Sequence, residues 1–203
     1  MNKLWSFGDS WVWGTGVNRY EHGFTKHLSD ELGLKDYNFG MGGANNNYIV
    51  DILSSLVSQI SKDDCVLVCF TTPHRDNPAN LIPVPDFLKY IDRTIELLDE
   101  VGCYYKLTQA FNPIFGYDYI VEDRDYPKFI EWGKPNNTLL DIITNNWLGD
   151  RINIFMDEGE TNWKSWRMER SEIFCEHDGK HPSENGHKII AKKLLEYMGD
   201  FND

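Results

Sequence analysis

Cys65-Val66-Leu67-Val68-Cys69-Phe70 is an unbroken apolar run, β-branched in part, with no polar residue to turn toward solvent. A strand of this kind is buried on both faces, as at the centre of a parallel sheet. Working outward, Leu4 to Phe7, Asp36 to Phe39 and Tyr104 to Ala110 read as further short strands, with helical patterns between them. His22 to Leu32 carries Phe24, His27, Leu28, Glu31 and Leu32 at helical spacing, with Gly33 as a stop. Gly40, Gly42 and Gly43 form a tight turn, after which Asn46 or Asn47 caps a helix over Tyr48 to Ile60. Phe87 to Val101 is a clear amphipathic helix. Further on, Thr138 to Leu148 predicts a helix, Ile152 to Phe155 a short strand, and Ser183 to Met198 the last helix, with Pro182 and Ser183 at its start. Alternating strands and helices give an α/β fold, a parallel sheet with helices on both faces. Ligands of such sheets bind beyond the carboxyl ends of the strands, which selects the loops after Phe7, Phe39 and Phe70.

The 203 residues suffice for one α/β domain spanning 1–203, and the composition, 41% hydrophobic and 14% aromatic, argues against disorder. The net charge of −12 repels nucleic-acid phosphates and anionic lipid, so the expected partner is a neutral substrate and neither nucleic acid nor membrane. No signal-peptide-length apolar stretch precedes Ser10, and no segment is apolar enough to span a bilayer, which suggests a cytoplasmic setting. Cys65, Cys69, Cys103 and Cys175 lack metal or redox spacing and read as buried reduced thiols. Breakers at Pro113, Gly116, Pro127, Gly133 and Pro135 make 112–137 an irregular insertion of the kind that overhangs a site. The polar segment Asp157 to Arg170, which includes Trp163 and Trp166, is a candidate lid or flap.

Two distant stretches carry the chemistry. The first strand runs straight into Gly8-Asp9-Ser10, and Asp178-Gly179-Lys180-His181-Pro182 precedes the last helix. A serine exposed at a strand end, beside the N–H groups of a helix start, with a His and an Asp to serve it, is a nucleophile with its base and orienter. The plainer reading of Ser10 alone is a helix N-cap. His177 and His181 are four apart, but Asp-Gly-Lys between them is turn-like and no ligand pair faces them, so no metal is expected. His187 reads as a surface or packing residue. Trp11 or Trp13, just past the serine, is a candidate for substrate contact, against the general tendency of tryptophan to pack the core. His74 and Arg75, at the end of the apolar strand, are further substrate-binding candidates.

On these residues the chain resembles the SGNH hydrolase superfamily, also called GDSL-type esterases and lipases. Phe7-Gly8-Asp9-Ser10-Trp11 matches the family's Gly-Asp-Ser turn. Asn38 and Gly43 match its Asn with Gly five residues on, and Asp178 and His181 its Asp-x-x-His. The resemblance implies a three-layer α/β/α sandwich, flavodoxin-like, around a mainly parallel five-stranded sheet. It implies an esterase needing no cofactor, with Ser10 as nucleophile, His181 as base and Asp178 as orienter. Ser10 and Gly43 would give backbone N–H groups to the oxyanion. Where the family has Gly-x-Asn-Asp after the third strand, this chain has Thr71-Thr72-Pro73-His74-Arg75, and Pro73 offers neither an amide side chain nor an N–H. Asn45 is the first substitute for that donor, Arg75 or Asn77 the second. The implied substrate is a small ester, with an O-acetylated glycan in view. The Asn-rich second block and Pro-x-Arg third block are also similar to SGNH-like proteins of bacteriophages, which implies a virion-associated setting as the alternative. Pro73 favours a second reading, a non-catalytic module of this fold that binds glycan or protein.

Overall fold

The computed structural model describes residues 2–72, 84–110, 125–130, 138–144, 172–175, 181–198 and 201. Its strands are β1 (Lys3–Gly8), β2 (Lys35–Gly40), β3 (Cys65–Phe70) and β4 (Tyr104–Gln109). They pair in the order β2-β1-β3-β4, every pair parallel. The expected parallel α/β sheet is present, with four strands among the described residues in place of five. Ile152 to Phe155, expected to add a strand, lies outside the described residues, as do 157–170 and most of 112–137. The described part of that excursion returns to the sheet. Leu107 N–H donates to Lys128 O and Ile130 N–H to Leu107 O, so 128–130 lies along the free side of β4.

Burial explains the strand sequences. In β3, Cys65, Leu67 and Cys69 join one core cluster while Val66, Val68 and Phe70 join the other, so no residue of the run meets water. In β1, Leu4 faces the first cluster and Trp5 and Phe7 the second. Strand β2 is one of the two outer strands among the described residues. Most of it is only half-buried, and Phe39 closes it by stacking on Trp5 and Phe7, with ring centroids 5.6 and 5.5 Å apart.

Helices cover both faces. On one lie α1 (Ser10–Trp13), α2 (Arg19–His22), α3 (Phe24–Glu31), α6 (Leu139–Thr144) and α7 (Glu184–Met198). On the other lie α4 (Asn46–Leu56) and α5 (Val84–Val101). The chain leaves β1 over the first face to reach β2, then returns over the second face to β3. Right-handed crossovers in opposite directions require this change of face. The reversal creates a switch point between β1 and β3, and it is beyond the carboxyl ends of strands at such a point that open α/β sheets form their ligand-binding crevice. Among the described residues no helix is long and apolar enough to cross a membrane, and all four cysteines are free and buried.

Two local expectations are corrected. The helix expected from His22 is two helices, because Gly23 is extended (φ −67°, ψ 145°) and Phe24 N–H leaves the helix ladder to donate to His187 Nδ1 at 3.2 Å. The cap of α4 is Asn45, whose Oδ1 accepts from Tyr48 N–H at 2.9 Å, and not Asn46 or Asn47. Gly40, in the second block, is needed for close approach: a Cβ there would stand 2.3 Å from the backbone nitrogen of Trp13. Gly40→Ala should therefore lower stability by about 1–3 kcal/mol, the usual cost of overpacking, as read from urea unfolding. An unchanged midpoint would show that β2 can move away from α1.

Candidate active site

The turn that carries Ser10 is built by excluding side chains and satisfying one carboxylate. A Cβ on Gly8 would meet Val12 Cγ2 at 2.3 Å and Cys69 O at 2.9 Å, so only glycine lets β1 turn at once into α1. Asp9 follows as the N-cap. Its Oδ1 accepts from Trp11 N–H at 3.0 Å, and the residue is fully buried. Ser10 is therefore not the cap but the first residue of the helix.

Asp9 also reaches across the crevice. Its Oδ2 accepts from the Thr71 hydroxyl at 2.9 Å, just past the end of β3. Thr71 is held in turn by buried Asn46 at the start of α4: Thr71 N–H donates to Asn46 Oδ1 at 2.8 Å, and Asn46 Nδ2 donates to Thr71 O at 3.3 Å. Two strand ends and the start of α4 are thereby tied in one buried polar set. Sequence reading missed Thr71 and the clamp role of Asn46. The available signal was a threonine and an asparagine directly after the strand and turn that flank Asp9.

The second block is fixed by Asn38. Its Nδ2 donates to Val12 O at 2.6 Å and Thr25 Oγ1 at 2.9 Å, while its Oδ1 accepts from Gly40 N–H at 2.8 Å. Met41 N–H donates to Gly8 O at 3.0 Å, and Ala44 N–H closes the turn on Met41 O at 3.1 Å. Gly43 stands at φ 77°, a left-handed conformation that glycine adopts without strain, and it is exposed. Asn45, the first substitute for the third oxyanion donor, has its side-chain oxygen engaged in capping α4.

His181 arrives from the other end of the chain on a short strap. Cys175 N–H donates to His181 O and Ser183 N–H to Ile173 O, both at 2.9 Å, and Phe174 bridges Pro182 antiparallel. A Cβ on Gly186 would lie 2.3 Å from Ile173 O, so α7 starts flush against this strap. The result is a contact of 2.9 Å between His181 Nε2 and Ser10 Oγ, with Ser10 only 6% exposed. Ser10 and His181 are brought together. Asp178, His74, Arg75, Asn77, Pro73 and His177 lie outside the described residues.

The two tryptophans separate. Trp11 is fully buried among the core residues of the α1 face, which removes it as a substrate contact, whereas Trp13 is 40% exposed. Other reactive groups near the site are silenced by burial. Cys69 is held well above the usual thiol range by desolvation and by Asp9. Burial, then the charges of His27 and His181, push His187 down to about 3, so its ring is neutral and accepts from Phe24 N–H. Among the described residues no group of three His, Cys, Asp or Glu side chains could hold a metal ion.

Two expectations test this architecture. Thr71→Val should cost about 1–3 kcal/mol, because a buried carboxylate loses a donor, while Thr71→Ser should keep most of the stability. Equal unfolding midpoints for the two variants would remove the Asp9–Thr71 bond from the account. Asp36 gives the second. Burial pushes its carboxyl up to about 6, Thr25 Oγ1 donates to Oδ2 at 3.4 Å, and Oδ1 is buried without a hydrogen-bond partner among the described residues. A folded pKa above the unfolded value means stability is lost as pH rises from about 4 to about 6. Asp36→Asn should therefore gain on the order of 1 kcal/mol over wild type near pH 7 and less near pH 4. A pH-independent difference in denaturation curves would contradict this.

No protein-family model matches the chain, and no curated protein does. Solved structures do match. A psychrotrophic esterase from a Pseudoalteromonas species superposes with a TM-score of 0.58 at 14% identity, covering 100% of both chains. A lipolytic protein of the G-D-S-L family from Veillonella parvula gives 0.54 at 15% identity, covering 98% of this chain and 99% of that one. A two-domain esterase active on acetylated mannans gives 0.52 at 13% identity, covering 98% of this chain and 50% of its own. At such identities the likeness speaks for architecture alone: the chain has the fold of these GDSL-type and esterase structures.

Proposed function

We propose that the chain is a serine ester hydrolase that cleaves a small acyl ester, such as an O-acetyl group on a carbohydrate, through an acyl-enzyme on Ser10. The observation that carries this reading is the 2.9 Å contact between Ser10 Oγ and His181 Nε2 beside the β1–β3 crevice. His181 Nε2 takes the Ser10 proton as Oγ attacks the ester carbonyl, then returns it to the departing alcohol. Water, deprotonated by the same nitrogen, releases the acid. Asp178, three residues before His181, orients the imidazole. The Ser10 and Gly43 N–H groups receive the oxyanion. Asn45, Arg75 or Asn77 supplies a third donor in place of the asparagine that Pro73 replaces. If none does, the barrier rises by about 2.7–4 kcal/mol, enough to make turnover slow. The activity of one neighbour on acetylated mannans supports the choice of an acetylated glycan.

A second reading, a non-catalytic module that binds glycan or protein, is favoured only by Pro73. Turnover of a p-nitrophenyl acyl ester separates the two. Ser10→Ala should lower kcat by more than about 10³-fold. A fluorophosphonate should label Ser10 in the wild-type chain, as located by peptide mass spectrometry. Equal hydrolysis by both proteins, or label on another residue, would sink the esterase reading.

A further inference from the structure

Among the described residues the exposed large hydrophobic side chains are Trp13 at 40%, Tyr20 at 69% and Met41 at 47%. Each is linked, through the backbone or through Arg19, to the turn and helix that carry Ser10. Trp13 is three residues after Ser10 on α1, a spacing that puts both side chains on one helix face. Met41 N–H is bonded to Gly8 O, beside the nucleophile turn, and Gly40 presses against the Trp13 backbone. Tyr20 is joined to Trp13 through Arg19. The Arg19 guanidinium carbon lies 3.4 Å from the Trp13 ring centroid and 4.6 Å from that of Tyr20, and its Nη2 donates to the Tyr20 hydroxyl at 2.6 Å.

We propose that Trp13, fixed on the Arg19 guanidinium, is the platform on which a neutral sugar ring rests while its acyl ester lies at Ser10. The assignment deepens the esterase reading and depends on it for the position of the ester. Arg19 stiffens the indole from below by a cation–π stack and leaves the ring partly open to solvent. An open aromatic face ringed by a hydroxyl and a guanidinium matches a sugar, whose C–H face is apolar and whose edge is polar. Reach agrees: side chains one turn apart on a helix are separated by about 5–6 Å, close to the width of one sugar ring.

Charge selects a neutral ring over an acidic one. Arg19 is a cation in a chain of net charge −12, yet it is not offered to an anion. One face covers Trp13, Nη2 is engaged with Tyr20, and Nη1 is buried, with no hydrogen-bond partner among the described residues.

The test compares an O-acetylated methyl glucoside with ethyl acetate as substrates for wild type, Trp13→Ala and Trp13→Phe. Trp13→Ala should lower the ratio of kcat/KM values, sugar ester over ethyl acetate, about threefold to tenfold, with the loss in KM for the sugar ester. Trp13→Phe, which keeps a ring, should retain most of the ratio. A ratio unchanged in Trp13→Ala would overturn the platform. If wild type cleaves neither ester, the esterase reading fails, and the platform is judged by saturation-transfer NMR with methyl glucoside. Transfer that is present in wild type and lost in Trp13→Ala supports it. Transfer equal in the two proteins, or stronger from glucuronate than from methyl glucoside, overturns it.

Discussion

A buried carboxylate must be met by donors, and Asp9 is the place where this fold meets that demand. Fully enclosed, it accepts from the Trp11 N–H of its own helix and from the Thr71 hydroxyl across the crevice. Stranding such a group would cost several kcal/mol, more than most single contacts in a domain contribute. The cost acts as a constraint on geometry. It fixes how far the end of β3 can lie from the nucleophile turn, and through Asn46 it fixes the start of α4 as well. The catalytic candidates sit on a frame whose dimensions are set by hydrogen-bond lengths and by backbone contacts too close to admit a Cβ at Gly8 and Gly40.

The site joins two unlike halves. Strand ends and helix starts define the Ser10 half, where every shift is opposed by the parallel ladder and both core clusters. The His181 half hangs from a strap of backbone bonds between 173–175 and 181–183, with α7 packed against it. Helix α7 is anchored on the same face as α1 through Ile190, Leu194 and Met198, so the two halves share one core.

Much of this was legible in the sequence, and the misses have physical causes. Cys65 to Phe70 was read to the residue because burial on both faces leaves a continuous apolar run. Gly8-Asp9-Ser10 was legible because a sharp strand-to-helix turn needs those residue types. The pairing of Ser10 with His181 was legible only as chemistry, since no local pattern joins residues so far apart. Asn45, Asn46 and Asn47 have equal capping propensity; what separates them is that Asn46 meets Thr71, a tertiary contact. Trp11 and Trp13 are two residues apart on a helix, so one faces the core and the other does not, and a helix of four residues gives too short a period to say which. Thr71 looked like loop because its partner Asp9 lies 62 positions earlier.

The separation of Ser10 from His181, 171 positions, has a consequence for how the protein is made. During synthesis Ser10 emerges long before His181, and closing so long a loop must wait for the sheet that brings the two together. Every species short of the complete fold therefore carries a lone, unactivated hydroxyl. The contact between the two side chains is thus a product of finished folding, and on the esterase reading proposed above an incompletely assembled chain would be inert toward esters.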